Sequence, residues 1–365
     1  MTTILLAGGG TGGHLMPALA IGQAILARQP EWRLVFAGAE RGIEATILPE
    51  RGLAHRLFPF EPLHRRAWWR NFRWPMLAWR LSRSVDALLD AEQPALVLGT
   101  GGYVSGPVVW RASRRGIPTA ILELDARPGI ATRLLAPRVK EIWLAAPEAA
   151  APLGSRAAAR IVATGAPITP PDPARRAAAR VRFGLADDRP VLVVTGGSQG
   201  SLAINRLIAQ WLATGGAPDA HLIWATGRAT FDQFARHQMP PDVTVVPFLD
   251  PMADAWAVAD LCVARAGMMT LAELCAWGIP SVIIPLPTAA ADHQTHNAEA
   301  MATAGASLML REEGLSASTL GEALTGLLQD RPRRLAMAGA ARGRGRPEAA
   351  ASIAERVVAL VGRGA

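Results

Sequence analysis

Short apolar runs alternate with longer amphipathic segments along the whole chain. The runs are TTILLA, RLVFAG, ALVLGT and PTAILEL in the first half, and PVLVVTG, AHLIWATG, VTVVPF, LCVARAG and PSVIIPL in the second. Short apolar runs without polar alternation are typical of parallel strands that are covered on both faces, and the segments between them have helical periodicity. The pattern therefore predicts an α/β protein with parallel sheets.

A proline-rich segment separates the two series of strands. The sequence ATGAPITPPDPARRAAARVRFGLADDRP has the composition of a linker that enters a helix. With 365 residues the chain is long enough for two domains. We predict an N-terminal domain over residues 1–166, a C-terminal domain over 167–345, and a C-terminal helix over 346–365 that packs back on the N-terminal domain.

Each half opens with a strand, a glycine-rich turn and a helix. The turns are GGGTGGH at residues 8–14 and TGGSQGS at residues 195–201, and GTGGYVSGP at residues 99–107 repeats the arrangement. Such a turn lets backbone N–H groups approach an anion, and the N-terminus of the following helix adds the positive end of its dipole. The three turns favour two Rossmann-like domains that face each other across a phosphate-binding cleft.

Two common nucleotide sites fit the first turn poorly. The turn matches GxGxxG, which alone is a weak indication of a dinucleotide site. The second strand, RLVFAG, ends at Gly38, and Glu40 lies past it, so the carboxylate that would hold a dinucleotide ribose is missing. A P-loop is excluded because the only lysine, Lys140, is far from any GK[ST] sequence. An NAD-dependent oxidoreductase is therefore the weakest alternative.

His14 directly follows the first turn. In the first turn of a helix, the dipole lowers the pKa of an imidazole and keeps it a neutral base. We predict a base that faces the phosphates of the opposite domain and activates an acceptor hydroxyl during transfer from a nucleotide-activated donor. The alternative is a histidine that only bonds to the loop backbone.

A second group of candidates lies in the segment ARAGMMTLAEL of the C-terminal half. The backbone N–H groups at residues 268–270 open a helix after a glycine, so they can meet a diphosphate. Glu273 lies one turn beyond Thr270 and can accept hydrogen bonds from both hydroxyls of a ribose. This spacing indicates a site for a nucleoside diphosphate.

The segment DHQTHNA follows the next strand. Gln294 and Asn297 can bond the hydroxyls of a sugar. His293 and His296 lie beside them, but their spacing lacks the accompanying ligands of a zinc site, so we expect no metal.

Five motifs together resemble those of the MurG family of peptidoglycan glycosyltransferases. They are GGGTGGH, GTGGYVSGP, TGGSQGS, RAGMMTLAE and HQTHNA, in the order of that family, and the similarity runs from Ile4 to near Val361. The resemblance implies the two-domain GT-B fold and inverting transfer of N-acetylglucosamine from UDP-GlcNAc to the C4 hydroxyl of the muramyl sugar in lipid I. It implies neither a cofactor nor a bound metal.

The resemblance also implies residue roles. In the C-terminal domain, Glu273 would hold the ribose, Leu249 would meet uracil through its backbone, and Gln294 would contact N-acetylglucosamine. His14 would be the base, and Tyr103 would border the acceptor. The other implied residues are Thr11, Gly12 and Gly13, assigned both to donor binding and to the border of the acceptor side, and Ser198, Met268, Met269 and Thr270, which would lie by the diphosphate.

The chain departs from the family pattern at three places. LELD at residues 122–125 replaces a His-Glu-Gln-Asn run, so Asp125, a second catalytic candidate, adds negative charge near the catalytic centre. GAPIT leaves Ala166 and Thr169 where the family has asparagine and arginine, and Thr169 would adjoin the donor phosphates. Ala266 stands where a serine is usual. These departures leave open a paralogue that uses another sugar or acceptor, or a non-catalytic nucleotide- or lipid-binding protein.

Residues 63–83, LHRRAWWRNFRWPMLAWRLSR, combine tryptophans with arginines in a chain of net charge +8. Tryptophan favours the membrane interface and arginine favours anionic headgroups, although the same mixture can bind single-stranded nucleic acid. No apolar run is an uninterrupted transmembrane helix. We expect a peripheral protein on the cytoplasmic face of the bacterial inner membrane, with UDP-GlcNAc, lipid I and other cell-wall synthesis proteins as partners and no nucleic acid. The predicted membrane contacts are Trp68, Trp69, Arg70, Arg73 and Trp74.

Overall fold

The computed structural model describes residues 1–10, 12–59, 74–216 and 219–363, without the side chains at positions 74, 75, 77 and 78. The chain forms two compact units, one of residues 1–168 with 348–365 and one of residues 169–347. We call them unit 1 and unit 2. The predicted site residues that lie outside the described residues are Thr11, Trp68, Trp69, Arg70, Arg73 and the side chain of Trp74.

Unit 1 is built on a parallel sheet with the strand order β3-β2-β1-β4-β5-β6-β7. Its strands are β1 (Thr3–Gly8), β2 (Arg33–Ala39), β3 (His55–Phe58), β4 (Leu96–Gly101), β5 (Thr119–Glu123), β6 (Glu141–Leu144) and β7 (Ile161–Ala163). Its helices are α1 (Gly12–Arg28), α2 (Glu44–Glu50), α3 (Trp74–Glu92), α4 (Gly102–Arg114), α5 (Ile130–Leu135) and α6 (Ser155–Ala158), with a 3-10 segment at Pro147–Leu153.

The centre of this sheet places two glycine turns side by side. All six residues of β1 are buried, because helices cover both faces of the sheet, and β1 pairs with β2 on one side and with β4 on the other. The chain leaves β1 toward β2 and β3, and it later returns to β4 on the other side. The carboxyl ends of β1 and β4 therefore form the crevice in which open α/β sheets bind ligands.

The last helix of the chain belongs to unit 1. Helix α15 (Ala349–Gly362) packs against α1 and buries Ile353 and Val357. Arg356 on this helix donates two hydrogen bonds to the carboxylate of Glu141 on β6, at 2.6 and 3.0 Å. The C-terminal segment is thus fixed to the first domain by apolar packing and an ion pair.

Unit 2 is built on a second parallel sheet with the strand order β10-β9-β8-β11-β12-β13. Its strands are β8 (Val191–Thr195), β9 (His221–Ala225), β10 (Val243–Val246), β11 (Leu261–Ala264), β12 (Ser281–Ile283) and β13 (Ser307–Met309). Its helices are α7 (Arg175–Arg182), α8 (Leu202–Ala213), α9 (Phe231–Phe234), α10 (Met252–Val258), α11 (Met268–Trp277), α12 (His293–Thr303), α13 (Ala317–Gln329) and α14 (Arg331–Arg344), with 3-10 segments at Ala235–His237 and Ala290–Asp292.

The predicted α/β class is confirmed, because the apolar runs of the sequence form parallel strands in both sheets. In unit 2 the crevice lies between β8 and β11, which are neighbours in the sheet but are separated along the chain by β9 and β10. Within the described part of the chain, no helix is long and apolar enough to cross a bilayer.

Candidate functional site

The two glycine turns of unit 1 are in direct contact. The hydroxyl of Thr100, on β4, donates a hydrogen bond to the carbonyl oxygen of His14 at 3.0 Å. Gly102 has a φ of +77°, and a Cβ at this position would collide with the carbonyl oxygen of Gly9. Only glycine, which lacks a side chain and tolerates positive φ, allows so close an approach. The β1–α1 and β4–α4 turns therefore form one structural unit.

His14 lies in the first turn of α1, with its side chain partly exposed. Its ring rests on the backbone of Gly101, because a Cβ at Gly101 would lie 2.8 Å from Cε1 of His14. Gly101 has a φ of +100°, which also favours glycine. The turn after β4 thus fixes the ring of the predicted base, and this contact was not foreseen from the sequence.

Tyr103 covers the first turn. A Cβ at Gly10 would lie 3.2 Å from the phenol oxygen of Tyr103, so the ring lies directly on this glycine. Burial, and to a lesser degree the nearby Glu44, raise the pKa of the Tyr103 phenol. Tyr103 and His14 are therefore brought to the same two turns.

Glu44 is a residue of this site that sequence reasoning missed. It begins α2 and is completely buried. Both its carboxyl oxygens lie 2.9 Å from the backbone nitrogen of Gly10, and Oε1 also accepts a hydrogen bond from Ala39 N–H at 2.7 Å. The available signal was a second carboxylate shortly after the second strand, because Glu44 follows Glu40 by four positions.

Asp125 follows β5 on a loop that Glu123 shapes. Oε1 of Glu123 accepts a hydrogen bond from Asp125 N–H at 3.1 Å, and Oε2 accepts one from Gly129 N–H at 3.0 Å. Burial raises the pKa of Glu123, and hydrogen bonds from Thr132 and the loop oppose that rise. Glu123 is another residue that sequence reasoning missed. Its carboxyl group binds the backbone N–H groups of Asp125 and Gly129 and thereby sets the position of Asp125.

The TGGSQGS turn of unit 2 joins β8 to α8. Ser201 accepts a hydrogen bond from Ile204 N–H at 3.4 Å and so caps α8, while Ser198 is exposed on the turn. Gly200 has a φ of +76°, and a Cβ there would collide with the backbone of Thr226. The turn is therefore packed against the backbone at Thr226, after β9, while Ser198 remains accessible.

A buried guanidinium lies beneath this turn. Arg265 follows β11 and is only 8% exposed. It donates to the Ser201 hydroxyl at 2.8 Å, to the carbonyl oxygens of Ile284 and Pro285 at 3.2 and 3.1 Å, and pairs with Glu312. Arg265 therefore ties together the carboxyl ends of four strands and places a positive charge near the glycine turn.

Gln294 and Asn297 hold the loop before α11 in place. Gln294 Oε1 accepts hydrogen bonds from the N–H groups of Ala266 and Leu286, at 3.1 and 3.0 Å. Asn297 donates to the carbonyl oxygen of Ala266 at 3.2 Å and is 1% exposed. The expectation that Asn297 offers its amide to a sugar is wrong, because the amide is buried against the backbone. Gln294, in contrast, is partly exposed.

Glu273 lies on α11, whose first turn contains Met268, Met269 and Thr270. Its Oε2 accepts a hydrogen bond from the indole N–H of Trp256 at 3.0 Å. Burial raises the pKa of Glu273, and the bond from Trp256 opposes that rise. The carboxyl group is thus held in one orientation one turn after the N-terminus of α11.

Leu249 and Thr169 differ in burial. The side chain of Leu249 is buried in the core of unit 2 with Trp256 and Leu271, so the backbone is the part of Leu249 available to a ligand. Thr169 is exposed at the first position of unit 2. Arg175, which begins α7 shortly after Thr169, pairs with Asp254 of α10 at 2.8 Å.

Family models match both halves of the chain. The glycosyltransferase family 28 N-terminal domain matches residues 4–144, and the glycosyltransferase family 28 C-terminal domain matches residues 191–357.

Curated relatives match over nearly the full length. A protein of Salinibacter ruber, named UDP-N-acetylglucosamine--N-acetylmuramyl-(pentapeptide) pyrophosphoryl-undecaprenol N-acetylglucosamine transferase, is 41% identical over 99% of this chain and 97% of its own length. The protein of the same name in Chlorobaculum tepidum is 39% identical over 98% and 99%. The crystal structure of Acinetobacter baumannii MurG superposes with a TM-score of 0.79 at 25% identity, covering 98% of this chain and all of that one.

The contact between His14 and Gly101 predicts the effect of one methyl group. Gly101→Ala places a residue with a side chain at positive φ, which costs about 1–3 kcal/mol of backbone strain. It also forces the added methyl group against the imidazole of His14. Gly116→Ala is the matched control, because Gly116 also has positive φ but nothing lies within 4 Å of the place that its Cβ would take. We expect a larger loss of unfolding free energy for Gly101→Ala, measured by denaturant titration. Equal losses would contradict the contact.

Proposed function

The chain belongs to glycosyltransferase family 28, and within it to the MurG enzymes, and we propose on this premise that it converts lipid I to lipid II. The chain has the GT-B fold of such enzymes, with two Rossmann-like domains. The reaction transfers N-acetylglucosamine from UDP-GlcNAc to the C4 hydroxyl of the muramyl sugar. The observation that carries this conclusion is full-length similarity to transferases of this name, including both glycine-turn domains.

Unit 2 supplies the donor site in this proposal. The N–H groups of Met268, Met269 and Thr270 at the start of α11 receive the diphosphate, because a helix N-terminus favours negative charge. Glu273, oriented by Trp256, accepts the ribose hydroxyls. These groups lie next to each other on one helix, which suits the short distance between ribose and phosphate in a nucleotide.

The remaining donor contacts follow from the loops at the same edge of the sheet. The backbone of Leu249 reads uracil, and Ser198 on the exposed turn bonds the diphosphate. Gln294 donates its NH₂ group to a hydroxyl of the sugar, since its carbonyl oxygen already accepts from two backbone groups. Arg265, buried beneath the turn, stabilises the negative charge that grows on the leaving UDP.

Unit 1 supplies the acceptor side and the base. His14 takes the proton of the C4 hydroxyl while that oxygen attacks the anomeric carbon of N-acetylglucosamine, and the bond from this carbon to the UDP oxygen breaks with inversion. Tyr103 borders the acceptor, and Gly12 and Gly13 offer N–H groups at the start of α1. Asp125 lies on the neighbouring loop as the second catalytic candidate. The scheme uses neither a cofactor nor a metal ion.

The direct test is UDP release from UDP-GlcNAc with a soluble lipid I analogue. We expect acceptor-dependent release, and a product heavier by one N-acetylglucosamine residue by mass spectrometry. His14→Ala should lower turnover by about 10²- to 10⁴-fold and leave the Kd for UDP-GlcNAc unchanged. His55→Ala, at an exposed histidine of unit 1, is the control. Donor binding without product would contradict lipid I as acceptor, and full activity of His14→Ala would contradict its role as base.

The raised pKa of Glu273 predicts how donor affinity depends on pH. As the pH falls through this raised pKa, the carboxylate takes up a proton and becomes a weaker acceptor for ribose hydroxyls, so UDP-GlcNAc should bind less tightly. The loss should begin at a higher pH than for an ordinary glutamate. Calorimetric titrations across a pH series measure this, because the diphosphate of UDP-GlcNAc does not itself titrate in that range.

Glu273→Gln should bind UDP-GlcNAc about tenfold more weakly at pH 7, as expected for loss of a charged hydrogen-bond acceptor, and should lose this pH dependence. Glu322→Gln, at an exposed position on α13, is the matched control. An unchanged pH dependence in Glu273→Gln would remove Glu273 from the ribose site.

Unit 1 also has a surface suited to a membrane. The membrane-facing patch consists of exposed apolar side chains on α3, α4 and α5, and α4 packs against both of the other helices. Trp79 is 58% exposed and Leu134 is 62% exposed, while the guanidinium of Arg138 lies 4.3 Å from the ring of Trp110. Apolar side chains among arginines favour the interface of an anionic bilayer. We propose that this patch holds the protein peripherally at the lipid-linked acceptor. Its members are Met76, Trp79, Trp110, Ile130 and Leu134.

Replacing Trp79, Ile130 and Leu134 by serine should weaken binding to vesicles that contain phosphatidylglycerol, measured by flotation. The replacements remove apolar surface from the membrane-facing patch, whereas Leu335→Ser removes an equally exposed side chain from unit 2 and serves as the control. Activity on a soluble acceptor should be retained by both variants. Equal flotation of the triple variant and the wild type would contradict the patch.

A further inference from the structure

Three glycines of unit 1 converge on a single side chain. A Cβ at Gly9, Gly38 or Gly42 would lie less than 3 Å from the side chain of Glu44. These glycines come from the turn after β1, from the end of β2 and from the loop before α2. The space for the Glu44 side chain is therefore created by the absence of side chains in three separate segments.

The carboxyl group of Glu44 is bonded to the backbone of the first glycine turn. Both oxygens lie 2.9 Å from Gly10 N, and Oε1 accepts a further hydrogen bond from Ala39 N–H at 2.7 Å. The side chain has no exposed surface. A concave group of backbone N–H donors after a strand is the arrangement that proteins offer to anions. Here a side chain of the same chain occupies that position.

We propose that Glu44 is a positioning residue of the transfer reaction, which acts as the internal ligand of the first glycine turn and thereby holds Tyr103 and His14 in place. The kinetic part of this inference rests on the proposed transferase function. Glu44 itself touches no reacting atom.

Two sets of contacts connect Glu44, through the first glycine turn, to Tyr103 and His14. Gly10, which Glu44 binds, has a φ of +92° and carries the ring of Tyr103 on its surface. The carbonyl of the adjacent Gly9 is packed against Gly102, in the turn that also supports the imidazole of His14. A shift of residues 9 and 10 would therefore displace both side chains, in a fold whose interior is too densely packed to absorb it.

The chemistry of the site requires a carboxyl group rather than an amide. Glutamine has the same size, but its NH₂ group would replace one of the two oxygens that face Gly10 N–H, so a donor would oppose a donor. Aspartate keeps both oxygens but is shorter by one methylene group. Glu44→Gln and Glu44→Asp therefore perturb the turn in different ways, and Glu50→Gln, at the exposed end of the same helix, is the matched control.

A spectroscopic test reads the geometry without any substrate. Tyr103 is the only tyrosine of the chain, so the absorbance of phenolate during an alkaline titration reports this residue alone. Because the charge of Glu44 contributes to the raised pKa of Tyr103, Glu44→Gln should lower that pKa. Glu50→Gln should titrate like the wild type. Identical titrations of Glu44→Gln and the wild type would overturn the proposal that Glu44 is the internal ligand of the first glycine turn.

A kinetic test reads the positioning role. Glu44→Gln should lower kcat/KM for the soluble lipid I analogue by about 10- to 100-fold, as expected when reacting groups are slightly misplaced, while the Kd for UDP-GlcNAc, bound by unit 2, stays unchanged. Glu44→Asp should fall between this variant and the wild type. The unchanged donor Kd shows that unit 2 is folded, and circular dichroism of each variant beside Glu50→Gln reports whether unit 1 is folded. Glu44→Asp takes over as the test if Glu44→Gln is not soluble.

The outcomes separate this inference from the transferase function. If the wild type releases no UDP in response to the acceptor, the proposed function fails and the tyrosine titration still decides whether Glu44 is the internal ligand. If the wild type is active and Glu44→Gln and Glu44→Asp match Glu50→Gln in kcat/KM, the positioning role is wrong. A loss of kcat/KM confined to the Glu44 variants supports it.

Discussion

The positions of His14 and Tyr103 depend on the close approach of two backbone turns, one after β1 and one after β4. Parallel pairing of these strands brings their carboxyl ends together, and Gly102, where a Cβ would collide with the carbonyl oxygen of Gly9, allows the two backbones to touch. His14 and Tyr103 each lie on a glycine of the opposite turn. The positions of the two residues are therefore coupled, because neither turn can move without the other.

In unit 2, a charged side chain joins the glycine turn to the neighbouring loops. Its glycine turn after β8 and its loop after β11 are joined by Arg265, whose guanidinium bonds Ser201 and the backbone after β12. Gln294 and Asn297 then fix Ala266, the residue before the glycine that opens α11. In unit 1 the corresponding interior group is a carboxyl, that of Glu44. In each unit a buried charged side chain is thus hydrogen-bonded to the glycine turn or to the residue that ends it. This side chain is the acidic Glu44 in unit 1 and the basic Arg265 in unit 2.

The departures from the family pattern fall mainly on residues that the fold buries. Leu122, Leu124, Ala166 and Ala266 are all nearly inaccessible, so the apolar replacements are accommodated as core packing. Asp125 is different, because it is partly exposed and its backbone is held by the neighbouring Glu123. Of the altered positions, Asp125 and Thr169 are the two that are not buried.

The sequence by itself determined the strands, the helices, the two glycine-turn domains and the family, because hydrophobic periodicity and contiguous motifs are local properties of the chain. It also brought forward His14 and Glu273 as candidates, since each stands at a fixed short distance from a glycine turn or a helix start, and it brought forward Tyr103 through the resemblance to the family. Only the tertiary structure decided which groups these residues touch. Glu44 reaches Gly10, 34 positions earlier, and Arg265 reaches Ser201, 64 positions earlier. Such partners are set by the order of strands in a sheet, which places distant segments side by side and which no local pattern of residues encodes.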